Sequence, residues 1–385
     1  MKRGVAAALV AALLLAEGVV GAASSDFYRE RDFYTVWSGA RLIAAGLDPY
    51  DENVWCRETE GLDVAALTSA GVARCVSRYA YPLWTAVALV PLGVLPLAWA
   101  ASLWLTLSLA ATLAAIALAW RGVGGPPRGL LLLVAIVIGS EPFWLTVAGG
   151  QASAIVALGL ALCAFYTARR RERAAGSSLA LAALKPHVAA FAVAAVAVRA
   201  VAARERAFLV GGVAAFVALF AVTIPIRPAW AGEWLGEIFG RQIGHVTEYA
   251  TAWGVGAHDL GGLGWGAALV ATVVLACAPA WTEIRRSRIA LLALSVPLSV
   301  FATPYAWSYD FLVLIVPWAF VLARALRARP GTRRALTAAL VVVASPLCWI
   351  LYGLAFARET ETLSAAVPAL TALLVTASLR AGEVT

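Results

Sequence analysis

The stretch Ser24-Ser25-Asp26-Phe27-Tyr28-Arg29-Glu30-Arg31-Asp32-Phe33-Tyr34 decides how this chain is read. It opens a polar segment, residues 24–80, that follows one apolar run, Val5 to Val20, and precedes a near-continuous series of others. Two aspartates stand among aromatics and arginines just beyond the first apolar run. A chain that puts carboxylates there, and few in its later loops, holds a site at the water–membrane boundary or carries a solvated loop.

Composition sets the broad class. Of the 385 residues, 62% are hydrophobic and 14% charged, against about 25% charged in a soluble domain; mean hydropathy is +0.83. Apolar stretches near the length that crosses a bilayer recur throughout. The expectation is an all-α polytopic membrane protein with about 10–13 transmembrane or half-spanning helices and a long first external loop. It forms one integral-membrane domain: 1–23 the first span, 24–80 the loop, 81–380 the remaining membrane helices. Lys2-Arg3 and the run to Val20 read either as a signal peptide cleaved after the small residues Gly21-Ala22-Ala23 or, preferred because a multi-spanning chain needs no removable signal, as an uncleaved span.

The formal charge of +8 does not point to nucleic acid, because the arginines sit in short loops between spans, where orientation requires them. The basic clusters are Lys2-Arg3, Arg121 to Arg128, Arg169 to Arg173, Arg199 to Arg206, Arg285 to Arg288 and Arg324 to Arg334. Placing all of them inside makes both termini cytoplasmic. It predicts external turns at Gly149-Gly150-Gln151, in the loop Arg227 to Leu260, at Thr303 to Asp310 and near Arg358 to Glu361. Pro82 to Pro96 reads as a short proline-bounded helix and Ala98 to Trp120 as a full span. Ser177 to Val198 reads as two short helices meeting at Lys185-Pro186-His187, each too short to cross alone.

The polar loop has order of its own. Phe33, Val36, Trp37, Ala40, Ile43 and Ala44 recur at helical spacing, and Gly46 and Pro49 supply a stop. This predicts an amphipathic helix on the membrane surface. Trp230, Trp234, Ile238, Phe239, Ile243 and Val246 predict a second one. Cys163, Cys277 and Cys348 fall in apolar segments and read as small hydrophobes. Cys56 and Cys75 share the loop, where an oxidising compartment would permit a bridge.

In this orientation the unusual polar residues gather on one side: Asp26, Asp32, Gln151, Lys185, His187, His245, His258 and Asp310. Asp32 reads either as a general base or as the cap of the helix beginning at Phe33. Asp26 is the alternative catalytic carboxylate, with a solvated loop as its plainer reading. Lys185, in an apolar helix, would meet a lipid phosphate with His187 beside it, or snorkel to the interface. Gln151 follows two glycines at a helix start, where backbone N–H groups could meet an anion or a sugar. Asp310 and Glu141 read as interfacial charges, and His245 and His258 as ordinary loop histidines. There is no phosphate-binding Gly-x-x-x-x-Gly-Lys-Ser/Thr loop, no His-Glu-x-x-His, no Cys-x-x-Cys, no Gly-x-Ser-x-Gly and no Asp-x-Asp. These absences disfavour an ATPase, a zinc peptidase and a nucleotide-sugar transferase, and no metal or other cofactor is expected.

The order of these pieces resembles glycosyltransferase family 87, the polyprenyl-phosphate-mannose-dependent mannosyltransferases among the C-type integral-membrane glycosyltransferases. Asp32-Phe33-Tyr34 through Leu42 to Gly46-Leu47-Asp48-Pro49-Tyr50 is similar to the family's Asp-x-x-x-Tyr…Leu…Gly-x-x-Pro-Tyr element. Tyr81-Pro82-Leu83 with Pro91-Leu92 resembles its Tyr-Pro-Pro…Pro-Leu, Gly150-Gln151 its Gly-Gln, Lys185-Pro186 its Lys-Pro, and Thr303-Pro304-Tyr305-Ala306-Trp307 its Ser-Pro-x-Ser-Trp. The resemblance implies a C-type fold in the plasma membrane and an extracytoplasmic active site. It implies sugar transfer with inversion, by a hexosyltransferase and most directly an α-mannosyltransferase. The donor would be a polyprenyl-phosphate sugar, a substrate and not a cofactor, and the acceptor a glycolipid or polysaccharide. Asp32 would be the catalytic base. Lys185, Gln151, His187, Tyr34, Tyr81, Tyr305 and Asp310 would bind substrate. Leu83 departs from the usual second proline, and Tyr309 and Asp310 stand where many mannosyl-transferring members carry histidines, which bears on the donor sugar. The competing class is a transporter or flippase of lipid-linked saccharides, which should show charges deep in several spans and inverted repeats. A non-catalytic membrane subunit would leave Asp32 dispensable.

Overall fold

A computed structural model describes residues 32–59 and 79–381. The expected first span, Asp26 and Cys75 lie outside the described residues. Cys56 is disulfide-bonded, and Cys163, Cys277 and Cys348 are free and buried.

The described residues are helical, with no strand among them, and the protein is an all-α polytopic membrane protein. Among the described residues, six helices are long and apolar enough to cross a bilayer: Leu97–Gly122, Arg206–Thr223, Leu263–Arg286, Ser308–Arg327, Pro330–Arg358 and Thr362–Arg380. Pro127–Ile138 and Glu141–Gly149 form a seventh if the pair, bent by 62°, is one span. Three apolar helices are shorter: Ser153–Ala168, Pro186–Ala202 and Arg288–Ala302. The single short helix expected over Pro82 to Pro96 is broken at Leu89 into Leu83–Ala88 and Val90–Gly93. The break at Gly139 and Ser140 falls where Gly139-Ser140-Glu141-Pro142 interrupts the apolar run, a local signal that the sequence reading passed over. Pro142 suits the first turn of the next helix but cannot extend the previous one.

The chain divides into two compact units. The first comprises residues up to Ala110, Val147–Gln151 and Leu219–Ile238. Its first described helix, Asp32–Ala44, buries Phe33, Tyr34, Val36, Trp37, Ala40 and Leu42. This corrects the expected surface helix: the apolar face is taken up by Leu83–Ala88 and Val90–Gly93 of the same unit, and the Trp37 indole donates to Leu95 O at 3.2 Å. The helix stops where the sequence predicts. Gly46 has φ +72°, and Leu47 N–H reaches back to Leu42 O at 2.8 Å, closing the end in a left-handed turn that suits glycine. Beyond it, Asp51 caps Glu52–Glu58 by accepting from Asn53 and Val54 N–H. Leu42, Trp55, Tyr79 and Ala86 form a small core there. The later helix Trp230–Glu237 packs Trp230 edge-on to Trp84, centroids 4.9 Å apart. It is tied to the first stretch by Arg227, whose Nη2 lies 2.6 Å from Asp48 Oδ2 and 2.6 Å from Glu233 Oε1.

The second unit comprises Ala111–Thr146, Ala152–Ala218 and Phe239–Thr385. Pro186–Ala202 packs along Arg288–Ala302, and Ser153–Ala168 along the 3-10 turn Leu179–Leu184. The two short helices meet at Lys185 as expected. Lys185 leaves helical geometry at φ −131°, ψ 75°, the extended bias imposed by the proline that follows. One arginine of the predicted inner clusters is buried: Arg288 reaches Glu172 at 2.6 Å and Glu205, and Arg199 reaches Glu205 at 2.7 Å.

Candidate active site

Each unit holds one cluster of the expected site residues. In the first unit, Asp32 begins its helix with an exposed side chain. Its carboxylate accepts a hydrogen bond from Gln151 Nε2. A carboxylate can only accept, so the amide must turn its nitrogen toward Asp32 and its oxygen elsewhere. That oxygen accepts from the Tyr81 hydroxyl at 3.4 Å, and the Tyr50 hydroxyl donates to Tyr81 O at 2.7 Å. Gln151 is 1% exposed, so an exposed acid is aimed by a buried amide.

The turn that delivers Gln151 requires glycine twice over. Gly150 has φ +68°, and a Cβ there would stand 2.4 Å from Phe33 Cβ. Its carbonyl accepts from the Trp104 indole at 2.7 Å, and Trp104 stacks on Phe33, centroids 5.7 Å apart. Tyr34 is buried with its ring 5.5 Å from Trp37, a packing position. Asp26 lies outside the described residues.

In the second unit, Lys185 and Asp310 form an ion pair, Nζ to Oδ1 2.6 Å, with side chains 1% and 0% exposed. Ser153 Oγ donates to the same oxygen at 2.7 Å, and Trp307 N–H donates to Oδ2 at 3.3 Å. The ammonium also lies 4.6 Å from the Tyr309 ring centroid. Lys185 therefore neither snorkels nor stands open, and Asp310 is not a solvated interfacial charge. The sequence reading missed this pairing and the role of Ser153. His187 stacks on Tyr305 at 4.4 Å, Tyr305 meets Tyr249 edge-on at 4.9 Å, and His187 Nε2 is buried without a hydrogen-bond partner. His245 and His258 sit beside Glu248 and Asp259, as ordinary loop histidines would.

Ser308 joins two more carboxyls of this unit. Its Oγ donates to Glu141 Oε1 at 2.7 Å and its N–H to Glu361 Oε2 at 2.7 Å. Glu141 is 1% exposed, so it too is not the interfacial charge expected. Burial raises Glu361 to about 7, against the lowering effect of the Ser308 bonds. A raised folded pKa means the native state holds a proton that the unfolded chain releases, so stability is present at low pH and lost as pH rises toward and through 7. The apparent Tm of the detergent-purified protein should fall between pH 5 and 8, with Glu361→Gln showing a shallower slope. An unchanged slope in the variant would rule Glu361 out as the source.

Among the described residues, no group of three His, Cys, Asp or Glu side chains is placed to hold a metal ion. What the two clusters offer is an exposed, directed carboxylate in one unit and, in the other, a buried lysine–aspartate pair beside an aromatic-stacked histidine. No curated protein matches the chain. Residues 79–305, more than half of the sequence, match glycosyltransferase family 87. Tyr81, Gln151, Lys185, His187 and Tyr305 fall within the match, and Asp32, Tyr34 and Asp310 outside it. The membrane helices and this match together make the chain a membrane glycosyltransferase, and it belongs to glycosyltransferase family 87.

Proposed function

We propose that the protein moves a hexosyl group, mannose in the first instance, from a polyprenyl phosphate to a hydroxyl of a glycolipid or polysaccharide. The reaction takes place on the extracytoplasmic side of the plasma membrane, with both termini cytoplasmic. The acceptor oxygen attacks the anomeric carbon, the bond from that carbon to the phosphate oxygen breaks, and the configuration inverts. Asp32 takes the proton from the attacking hydroxyl. Polyprenyl phosphate leaves as an anion and requires positive charge rather than an acid. Lys185 has three donors and can share its ammonium between Asp310 and that phosphate, with His187 adding a further polar atom.

One observation carries the reading: Asp32 is exposed, yet its carboxylate is aimed by the buried amide of Gln151. A carboxylate serving only as a helix cap would not require an amide delivered from residue 151. The positive-inside distribution of arginines supports the side assigned to the site.

The test is reconstitution in proteoliposomes with labelled polyprenyl-phosphate hexoses and a membrane glycolipid extract. Label should pass to a lipid or polysaccharide with one donor, which names the sugar. Passage of intact labelled donor across the bilayer without transfer would establish the transporter reading instead.

A further inference from the structure

A cavity of about 320 Å³ opens in the second unit, where Pro330–Arg358 ends and Thr362–Arg380 begins. Both helices are long and apolar enough to cross a bilayer, so the cavity belongs at the level of a membrane boundary. Its lining includes the rings of Trp307, Tyr352 and Phe356 and the carboxyls of Glu359 and Glu361. The rings keep open surface: Phe356 is 72% exposed, and Trp307 and Tyr352 are half-buried. Ile350 and Leu354, on the same helix as Phe356, are exposed as well. An apolar strip therefore leads from the cavity along the spanning helix. Trp307 N–H donates to Asp310 Oδ2 at 3.3 Å, so the cavity shares a turn with the buried pair.

The carboxyls stand where two rules disfavour them. Glu359 has φ 55° and ψ 26°, a left-handed conformation that suits glycine. Among the described residues, the other side chains held this way are Arg170 and Arg204. These follow the ends of Ser153–Ala168 and Pro186–Ala202. The carbonyl end of a helix carries roughly half a negative charge, which favours a basic residue there. Glu359 follows the end of Pro346–Arg358 with the opposite sign, and Glu361 adds a second carboxyl. Arg358, beside them in sequence, turns to Asp259. Among the described residues neither Glu359 nor Glu361 has a cationic partner.

We propose that this cavity holds the primary ammonium of a phospholipid headgroup, that of phosphatidylethanolamine. Two carboxyls at a helix carbonyl end draw positive charge, and aromatic faces attract a cation further. Carboxylate oxygens only accept, and a primary ammonium offers three N–H donors where a quaternary one offers none. The apolar strip of Ile350, Leu354 and Phe356 gives the acyl chains a surface, which selects a lipid over a free amine. The volume is at the lower end of ligand pockets, which start near about 300 Å³, and suits a headgroup rather than a whole lipid. This proposal does not rest on the transferase reading.

The experiment is a lipid titration of the full chain in detergent, with bound lipid counted by native mass spectrometry. It is run at pH 8, above the value of about 7 to which burial raises Glu361. The probes are dioctanoyl phosphatidylethanolamine, phosphatidylcholine and phosphatidylglycerol, and ethanolamine alone. The ethanolamine lipid should bind wild type, and bind equally a control, Glu283→Gln, whose carboxyl is exposed on another spanning helix. Glu359→Lys should bind it at least about tenfold more weakly. That variant should fold, because it copies what Arg170 and Arg204 do at equivalent ends. Glu359→Gly, which suits the left-handed turn, should keep or raise the apparent Tm and lose binding equally. Phe356→Ala should weaken binding as well.

Equal binding of the ethanolamine lipid by wild type and Glu359→Lys would overturn the proposal. Phosphatidylglycerol binding wild type as tightly would reduce the cavity to lipid-facing surface and overturn it too. Equally tight phosphatidylcholine would remove the hydrogen-bonding role of the carboxyls, and ethanolamine binding as tightly as its lipid would remove the lipid; either result overturns the assignment.

Discussion

Asp32→Asn should lower sugar transfer by about 10²–10⁴-fold, the contribution typical of a positioned general base. Donor KM and apparent Tm should stay close to wild type. Asparagine keeps the shape and an acceptor oxygen that Gln151 Nε2 can still bond, and the side chain is exposed, so little packing is at stake. What is lost is the ability to accept a proton. Asp32→Glu should recover part of the activity, because the carboxyl returns but its distance from the Gln151 amide changes. Single-turnover transfer with the identified donor separates this from a binding defect: the rate falls and the donor concentration at half-saturation does not. Near-normal transfer by Asp32→Asn would remove Asp32 from the mechanism and make Asp26 the next carboxylate to replace.

The second large effect concerns the buried pair in the other unit. Asp310→Asn leaves the Lys185 ammonium in a site where both side chains are almost fully enclosed. Breaking one partner of such a pair costs about 3–5 kcal/mol, enough to deplete folded protein and lower the apparent Tm by many degrees. Replacing both charges by apolar side chains of similar volume is often neutral, so Lys185→Met with Asp310→Leu should recover much of the Tm. Activity then distinguishes two roles. A pair that only supports the fold returns transfer along with stability. A Lys185 that meets the leaving phosphate leaves the double variant stable and inactive, with donor binding weakened. Recovery of both properties would exclude the phosphate role.

Much of the helix order was legible because apolar period and punctuation are local signals. Gly46 and Pro49 end the helix begun at Asp32, and Pro186 marks where the two short helices meet. The turn at Gly150-Gln151 follows from the glycines that flank it. Partnership was not legible, because it is non-local. Nothing near Lys185 announces Asp310 and Ser153, which the fold brings in from 125 residues later and 32 residues earlier in the chain. The same limit explains the helix Asp32–Ala44. Its apolar spacing predicts a buried face, but spacing alone does not say whether lipid or protein covers it, and here Leu83–Gly93 does. Glu141 was read as an interfacial charge and Glu361 only as the end of an external turn; their link through Ser308 appears only when the three segments fold together.

The tie from Arg227 to Asp48 and Glu233 also sets an order of events in biosynthesis. At the pace of the ribosome, Arg227 emerges roughly 10–40 s after Asp48. For all of that time Tyr50, Trp55 and their neighbours exist without the helix Trp230–Glu237 that completes their surroundings. The earliest polar stretch to be made is thus among the last parts of its unit to reach final form. The intervening membrane helices are made and inserted while it waits.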